Sequence, residues 1–258
     1  MSDDSNGDVR QRNIKLLIEY DGTDYKGWQI QPDQRTIQGE IESCLGRLLN
    51  HKTRVTAAGR TDTGVHAMGQ IANFYTPSGI ATERILNGLN SLLPNDISVG
   101  EVKEVSKAFH ARFDARRRSY QYRISFRPTA LNHRFVWRLK SELDLDAMRV
   151  ASGHLVGHHD FTSFCVSAEE RDTRGCHIHK CCWQQVSSEL HLSIDANRFL
   201  RSMVRGIVGT LVQVGRGKRT PQDIVKILEA RDRRRAGPNA PPQGLFLREV
   251  SYGEDSGE

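Results

Sequence analysis

The residues best suited to chemistry lie in the run Ala57–Ala67, AAGRTDTGVHA. Two glycines bracket a loop that presents a guanidinium (Arg60), a carboxylate (Asp62) and an imidazole (His66). A free carboxylate has a pKa of about 3.9, so it is ionised at neutral pH and can act as nucleophile or general base. Asp and Thr are also the usual residues of turns and caps. The run alone therefore leaves two readings, a turn or a reactive carboxylate. His66 closes the run and reads as a hydrogen-bonding brace.

A second cluster holds Cys165, Cys176, Cys181 and Cys182, interleaved with His177 and His179. The cluster contains no C-x₂-C pair of the kind common in zinc sites. Adjacent Cys181 and Cys182 on a strand point to opposite faces, and His154, His158 and His159 are scattered. No metal is expected, and the thiols are read as reduced in a cytoplasmic chain. Gly215-Arg216-Gly217-Lys218 is followed by Arg219 and lacks the earlier glycine of a phosphate loop. No cofactor is expected.

These residues need elements to position them. Asn13–Tyr20 alternates as a strand and stops at Asp21-Gly22. After a Gly/Pro-containing loop, Asp21–Arg35, the spacing of Ile37, Ile41, Leu45, Leu48 and Leu49 predicts a helix capped by Thr36. Strands follow at Arg54–Ala58 and Gln70–Tyr75, then a helix at Thr82–Leu93 and a strand at Ile97–Val105. The order β-α-β-β-α-β is that of a ferredoxin-like half. From Phe113 onward come a strand at Ser119–Phe126, a helix at Asp146–Leu155 and a strand pair at Cys176–Val186 and Glu189–Asp195. A long helix at Arg198–Val214, a helix opened by Thr220-Pro221 and a strand at Leu245–Tyr252 complete the chain.

The expected fold is therefore α/β (α+β): two tandem ferredoxin-like, RRM-like halves, with antiparallel sheets flanked by helices and a groove between them. Residues 10–112 form the first half and 113–252 the second. Residues 1–9 and 253–258 are read as acidic, disordered tails. On the long helix, Arg198, Arg201 and Arg205 are spaced to share one face, opposite the core-facing arc of Phe199, Met203, Ile207, Leu211 and Val214.

The 258 residues carry 37 Lys+Arg against 31 Asp+Glu, a net +6. Both tails lack Lys and Arg, and setting their six acids aside leaves +12 on residues 10–252. Arginine supplies 28 of the cations. Its planar fork binds phosphate bidentately and stacks on bases, which raises the prospect of an RNA partner. No apolar run reaches the roughly 18 residues of a membrane span, and the polar, acidic N-terminus is unlike a targeting peptide.

The residues around Asp62 carry a resemblance. Gly59–Ala67, GRTDTGVHA, is very similar to the signature of the TruA-type tRNA pseudouridine synthases, with Thr63 where the family commonly has Ala. Tyr20-Asp21-Gly22, Gly27-Trp28-Gln29, the 109–115 run FHARFDA, Tyr120-x-Tyr122, the 160–164 run DFTSF, Met203-Val204-Arg205-x-Ile207-Val208-Gly209 and Gly244-Leu245 follow in the family's order. The resemblance implies isomerisation of uridine to pseudouridine at tRNA positions 38, 39 and 40, without cofactor or metal, by a homodimer.

It further implies that Asp62 is the covalent catalyst, adding to the uracil ring or to ribose C1′, and that Arg205 is its counter-charge. Tyr120 becomes the stacking platform, with a hydroxyl that takes part in proton transfer at C5. Leu245 covers the base from the other side. Arg60 holds the flipped nucleotide's phosphate or fills the vacated space, and Arg198 and Arg201 bind RNA. Two rival readings are weighed against this one. A zinc deaminase would need H-x-E and P-C-x-x-C, which the chain lacks. A tRNA-binding module without chemistry would need the basic groove but gains nothing from a carboxylate facing phosphates.

Overall fold

The computed structural model describes residues 11–166 and 174–253. The expected acidic tails, Gly253 apart, lie outside the described residues. The first strand, β1 (Arg12–Tyr20), buries Ile14, Leu16, Ile18 and Tyr20. Helix α1 (Ile37–Leu49) starts where the sequence indicates, with Thr36 Oγ1 accepting from the Gly39 amide at 3.3 Å. It ends at Asn50, whose left-handed conformation (φ 55°) closes the last turn. Its buried row of Ile37, Ile41, Leu45 and Leu49 stabilises the fold by about 1.5–3 kcal/mol per side chain.

Strand β2 is only Thr56–Ala57 and β3 is His66–Thr76; α2 (Thr82–Leu92) and β4 (Ile97–Val105) follow. The second half contains β5 (Arg117–Ser125), β6 (Trp137–Arg138), α3 (Leu145–Gly153) and β7 (Gly157–Asp160). It continues through β8 (Gly175–Val186), β9 (Glu189–Ala196), α4 (Met203–Gly215), α5 (Asp223–Ala230) and β10 (Leu245–Ser251). All strands join one sheet, in the order β4-β1-β3-β10-β5-β9-β8-β7, with β2 on β3 and β6 on β5.

Within that sheet, β4-β1-β3-β2 and β10-β5-β9-β8 are two copies of the ferredoxin-like strand order. Strand β10 joins them. It runs parallel to β3 at His66 and Ala67, and antiparallel to β5 from Tyr122 to Arg117. The two sheets expected in tandem are thus continuous. The loop preceding β3 opens at their seam, beside the start of β10. Among the described residues no helix is long and apolar enough to cross a membrane.

Helix α4 departs from its expected bounds in a way that matters for the site. It begins at Met203 rather than Arg198. Phe199 packs T-shaped against Tyr120, with centroids 5.1 Å apart, and Ser202 takes a left-handed conformation (φ 58°) that breaks the helix upstream. Arg198 and Arg201 therefore lie outside the helix, and the three-arginine helical stripe does not form. Thr220-Pro221 similarly starts a turn rather than α5 itself: the Asp223 carboxylate accepts from the Thr220 amide at 2.9 Å, and the regular helix begins at Asp223.

Candidate active site

The loop between β2 and β3 is clamped by the first loop of the chain. The Trp28 amide donates to Thr61 O at 3.1 Å, the Gly64 amide to Tyr25 O at 3.3 Å, and the Tyr20 and Thr61 hydroxyls bond at 2.8 Å. This close approach explains Gly22, where an added Cβ would lie 2.0 Å from Val65 O. At the tip, the Val65 amide bonds back to Asp62 O at 3.1 Å, and Gly64 supplies the positive φ (75°) that such a turn needs. The first loop is itself fixed by Tyr25, whose hydroxyl donates to Asp96 and whose ring lies 4.2 Å beneath the Arg35 guanidinium.

His66 has the bracing role expected of it. It is buried and stacks on Phe246 with centroids 4.8 Å apart. Nδ1 accepts from the Gly22 amide at 3.1 Å, and Nε2 lies 3.1 Å from Arg134 O, to which the neutral ring donates. Burial pushes the imidazole pKa down. The Asp21 carboxylate opposes this from 3.1 Å without reversing it.

Asp62 projects from this clamped loop with a quarter of its side chain exposed. Its Oδ2 accepts the Ser202 hydroxyl at 2.7 Å and faces Arg205 Nη1 at 3.5 Å. Arg205 is held in turn by residues 237–244. Its Nε donates to Ala240 O at 2.7 Å, and the Ala240 amide donates to Arg205 O at 2.9 Å. That segment is fastened by the Tyr122 hydroxyl to Pro241 O at 2.8 Å, and by Arg233 to Gly237 O and Asn239 Oδ1 at 2.8 and 2.9 Å.

Tyr120 stands on β5, nearly buried. Burial drives its phenol pKa up, and the Tyr20 and Asp62 charges add to the effect, so the hydroxyl stays protonated. Leu245 pairs with Tyr122 and Leu247 with Tyr120 across the β10–β5 ladder. Leu245 and Tyr120 are thus diagonal neighbours on one sheet face, a spacing of about 7–8 Å. Arg60 is exposed, with no side-chain hydrogen bond or ion pair among the described residues. Arg201 is exposed and Arg198 half-buried, both just before α4.

The structure thus gathers Asp62, Arg205, Tyr120 and Leu245 at the seam, and leaves Arg60, Arg198 and Arg201 outside the contacts to Asp62. Sequence reasoning missed Ser202, which lies 140 positions from Asp62; a serine just before a helix reads as an ordinary cap. It also missed the structural weight of Arg118. That guanidinium donates to the carbonyls of Ala58, Arg112, Ala115 and Asn197 and ties the loop's base to the second half. Cys181 is buried and Cys182 exposed, on opposite strand faces. Among the described residues no group of three or more His, Cys, Asp or Glu is arranged to hold a metal.

Two ferredoxin-like halves sharing one sheet, with a carboxylate, a guanidinium and a neutral phenol gathered at the seam of an arginine-rich chain, define an α/β enzyme acting on RNA. The chain belongs to the tRNA pseudouridine synthase family, which residues 16–114 and 151–253 match. It is 45% identical over 246 residues to tRNA pseudouridine synthase A of Geobacter sp. (strain M21), covering 94% of this chain and all of that protein. It is 45% identical over 249 residues to the protein of that name from Chlorobium luteolum, covering 95% and 98%. Against the Exiguobacterium sp. protein of the same name the figures are 43% over 241 residues, 93% and 98%.

Proposed function

We propose that this enzyme isomerises uridine to pseudouridine at positions 38, 39 and 40 of the tRNA anticodon stem-loop, with Asp62 as covalent catalyst. The observation that carries the reading is the Asp62 carboxylate, fixed at the seam with Arg205 and Ser202 on one oxygen. A protein that only bound RNA would gain nothing from it. In the reaction the N1–C1′ bond breaks and a C5–C1′ bond forms. C5 loses a proton and N1 gains one, with no net oxidation. Asp62 adds to the uracil ring or to ribose C1′ and is released when the new bond forms.

The target base must leave its stack, which costs a few kcal/mol. Stacking in the pocket offsets about 1–3 kcal/mol of that. Tyr120 and Leu245, diagonal on one face, are suited to hold the base between them. The neutral Tyr120 hydroxyl takes part in proton transfer at C5. Exposed Arg60 holds the displaced nucleotide's phosphate or fills the gap it leaves, and Arg198 and Arg201 bind the RNA backbone. The two halves, 10–112 and 113–252, each furnish part of the site. The enzyme works in the cytoplasm as a homodimer, since tRNA is larger than one chain's groove. Sedimentation showing only monomer at working concentration would refute the dimer.

The test of the reaction is to incubate an anticodon stem-loop and full-length tRNA with the protein, without added metal or cofactor, and map pseudouridine position by position. Product at 38, 39 and 40 supports the reading. Binding without product would favour the non-catalytic module, and product elsewhere would overturn the assigned positions.

A further inference from the structure

Asp62 is held through one oxygen only. Oδ2 takes both the Ser202 hydroxyl and the Arg205 guanidinium, and among the described residues no hydrogen bond reaches Oδ1. A serine ahead of a helix ordinarily turns its hydroxyl onto the first free amides of that helix. Ser202 makes no such bond to α4, and its φ of 58° is one that residues other than glycine seldom adopt. Strained conformations of this kind persist where the surroundings over-determine them, and they concentrate at functional sites. Here the strain turns the hydroxyl onto a carboxylate from the other half of the sheet.

We infer that Ser202 is a positioning residue for the reaction: with Arg205 it pins Oδ2 of Asp62 and leaves Oδ1 aimed at the flipped nucleotide. The inference rests on the reading of Asp62 as covalent catalyst. A carboxylate rotates freely between roughly two-fold related orientations. One hydrogen bond, from Ser202, and one ion-pair contact on the same oxygen restrict that freedom, and the Arg205 contact, at 3.5 Å without a hydrogen bond, is the looser hold. Among the described residues, the charged groups facing Asp62 from neighbouring elements are Arg205 from α4 and, when ionised, Tyr120 from β5. Ser202 adds no charge, so its contribution is orientation.

Two variants separate the hydroxyl from the backbone strain. Ser202→Gly keeps the left-handed conformation at no steric cost and removes the donor. Ser202→Asn also tolerates that conformation and returns an N–H donor. Turnover is followed as tritium released from tRNA labelled at uridine C5, alongside KM and the unfolding midpoint. Ser202→Gly is expected to lower kcat roughly tenfold or more, the scale of a hydrogen bond to a charged group. KM should stay within about twofold and the midpoint should not fall, and Ser202→Asn should recover most of the loss. Wild-type kcat in Ser202→Gly, or no recovery with Asn, would overturn the inference. Asp62→Asn runs in the same assay: its continued turnover would refute the reading of Asp62. An inactive Asp62→Asn beside a fully active Ser202→Gly would refute the role of Ser202 alone.

Discussion

Replacing Arg205 by methionine keeps much of the side-chain volume and removes two things, the charge facing Asp62 and the Nε bond to Ala240 O. At 3.5 Å and an effective dielectric near 20, the ion pair is worth about 4–5 kcal/mol. Both side chains remain a fifth to a quarter exposed. Solvent screening therefore lowers the recoverable part to about 1.5–3 kcal/mol. If that interaction is needed while tRNA phosphates crowd the site, kcat should fall about ten- to a hundred-and-fifty-fold. Losing the Ala240 contact should cost about 1–2 kcal/mol of folding stability, read as a lower urea midpoint. Arg205→Lys should fall between the two, because one ammonium cannot hold Ala240 O and face Asp62 in the same fork geometry. Tritium release from C5-labelled tRNA under saturating substrate is the assay. Arg205→Met turning over within twofold of the parent, or losing only KM, would refute the reasoning.

Two further outcomes follow from burial. The folded His66 imidazole has a lowered pKa, so the unfolded chain takes up that proton first. The stability this ring contributes is complete above its unfolded pKa of about 6.5 and is lost as pH falls below it. The stability gap between the parent and His66→Gln should narrow from pH 7.5 to 5.5 in urea titrations; a flat or widening gap would contradict this. Alkylation of the folded protein, followed by mass spectrometry, should label exposed Cys182 before the buried thiols. Cys181 and Cys176 are pushed up to about 12 and about 11 by burial. Early labelling of Cys181 would contradict its place in the core.

What the sequence shows, and what it hides, divides along the range of the interactions. Thr36 and the Ile37–Leu49 row are local, and the helix forms where they predict it. Strand β4 starts where expected because a local turn delivers it, with the Ile97 amide donating to Pro94 O at 3.0 Å. Joining the two halves through β10 is a pairing between distant segments, and the alternation within one strand carries no trace of its partner. The start of α4 is misread because Phe199 and Leu200 continue the helical spacing. In the fold Phe199 packs on Tyr120, and the chain breaks at Ser202. Of the site, Asp62 and Arg205 are legible through their motifs. Ser202 is not, because only the fold brings it to Asp62.

The most direct test of Asp62 as covalent catalyst is single-turnover pseudouridine formation by Asp62→Asn, with tRNA affinity measured in parallel. Asn keeps the shape of the side chain and removes the nucleophilic charge. No detectable product is expected, with affinity for tRNA within a few-fold of the parent. Product formed at a rate near the parent's would contradict the covalent role of Asp62.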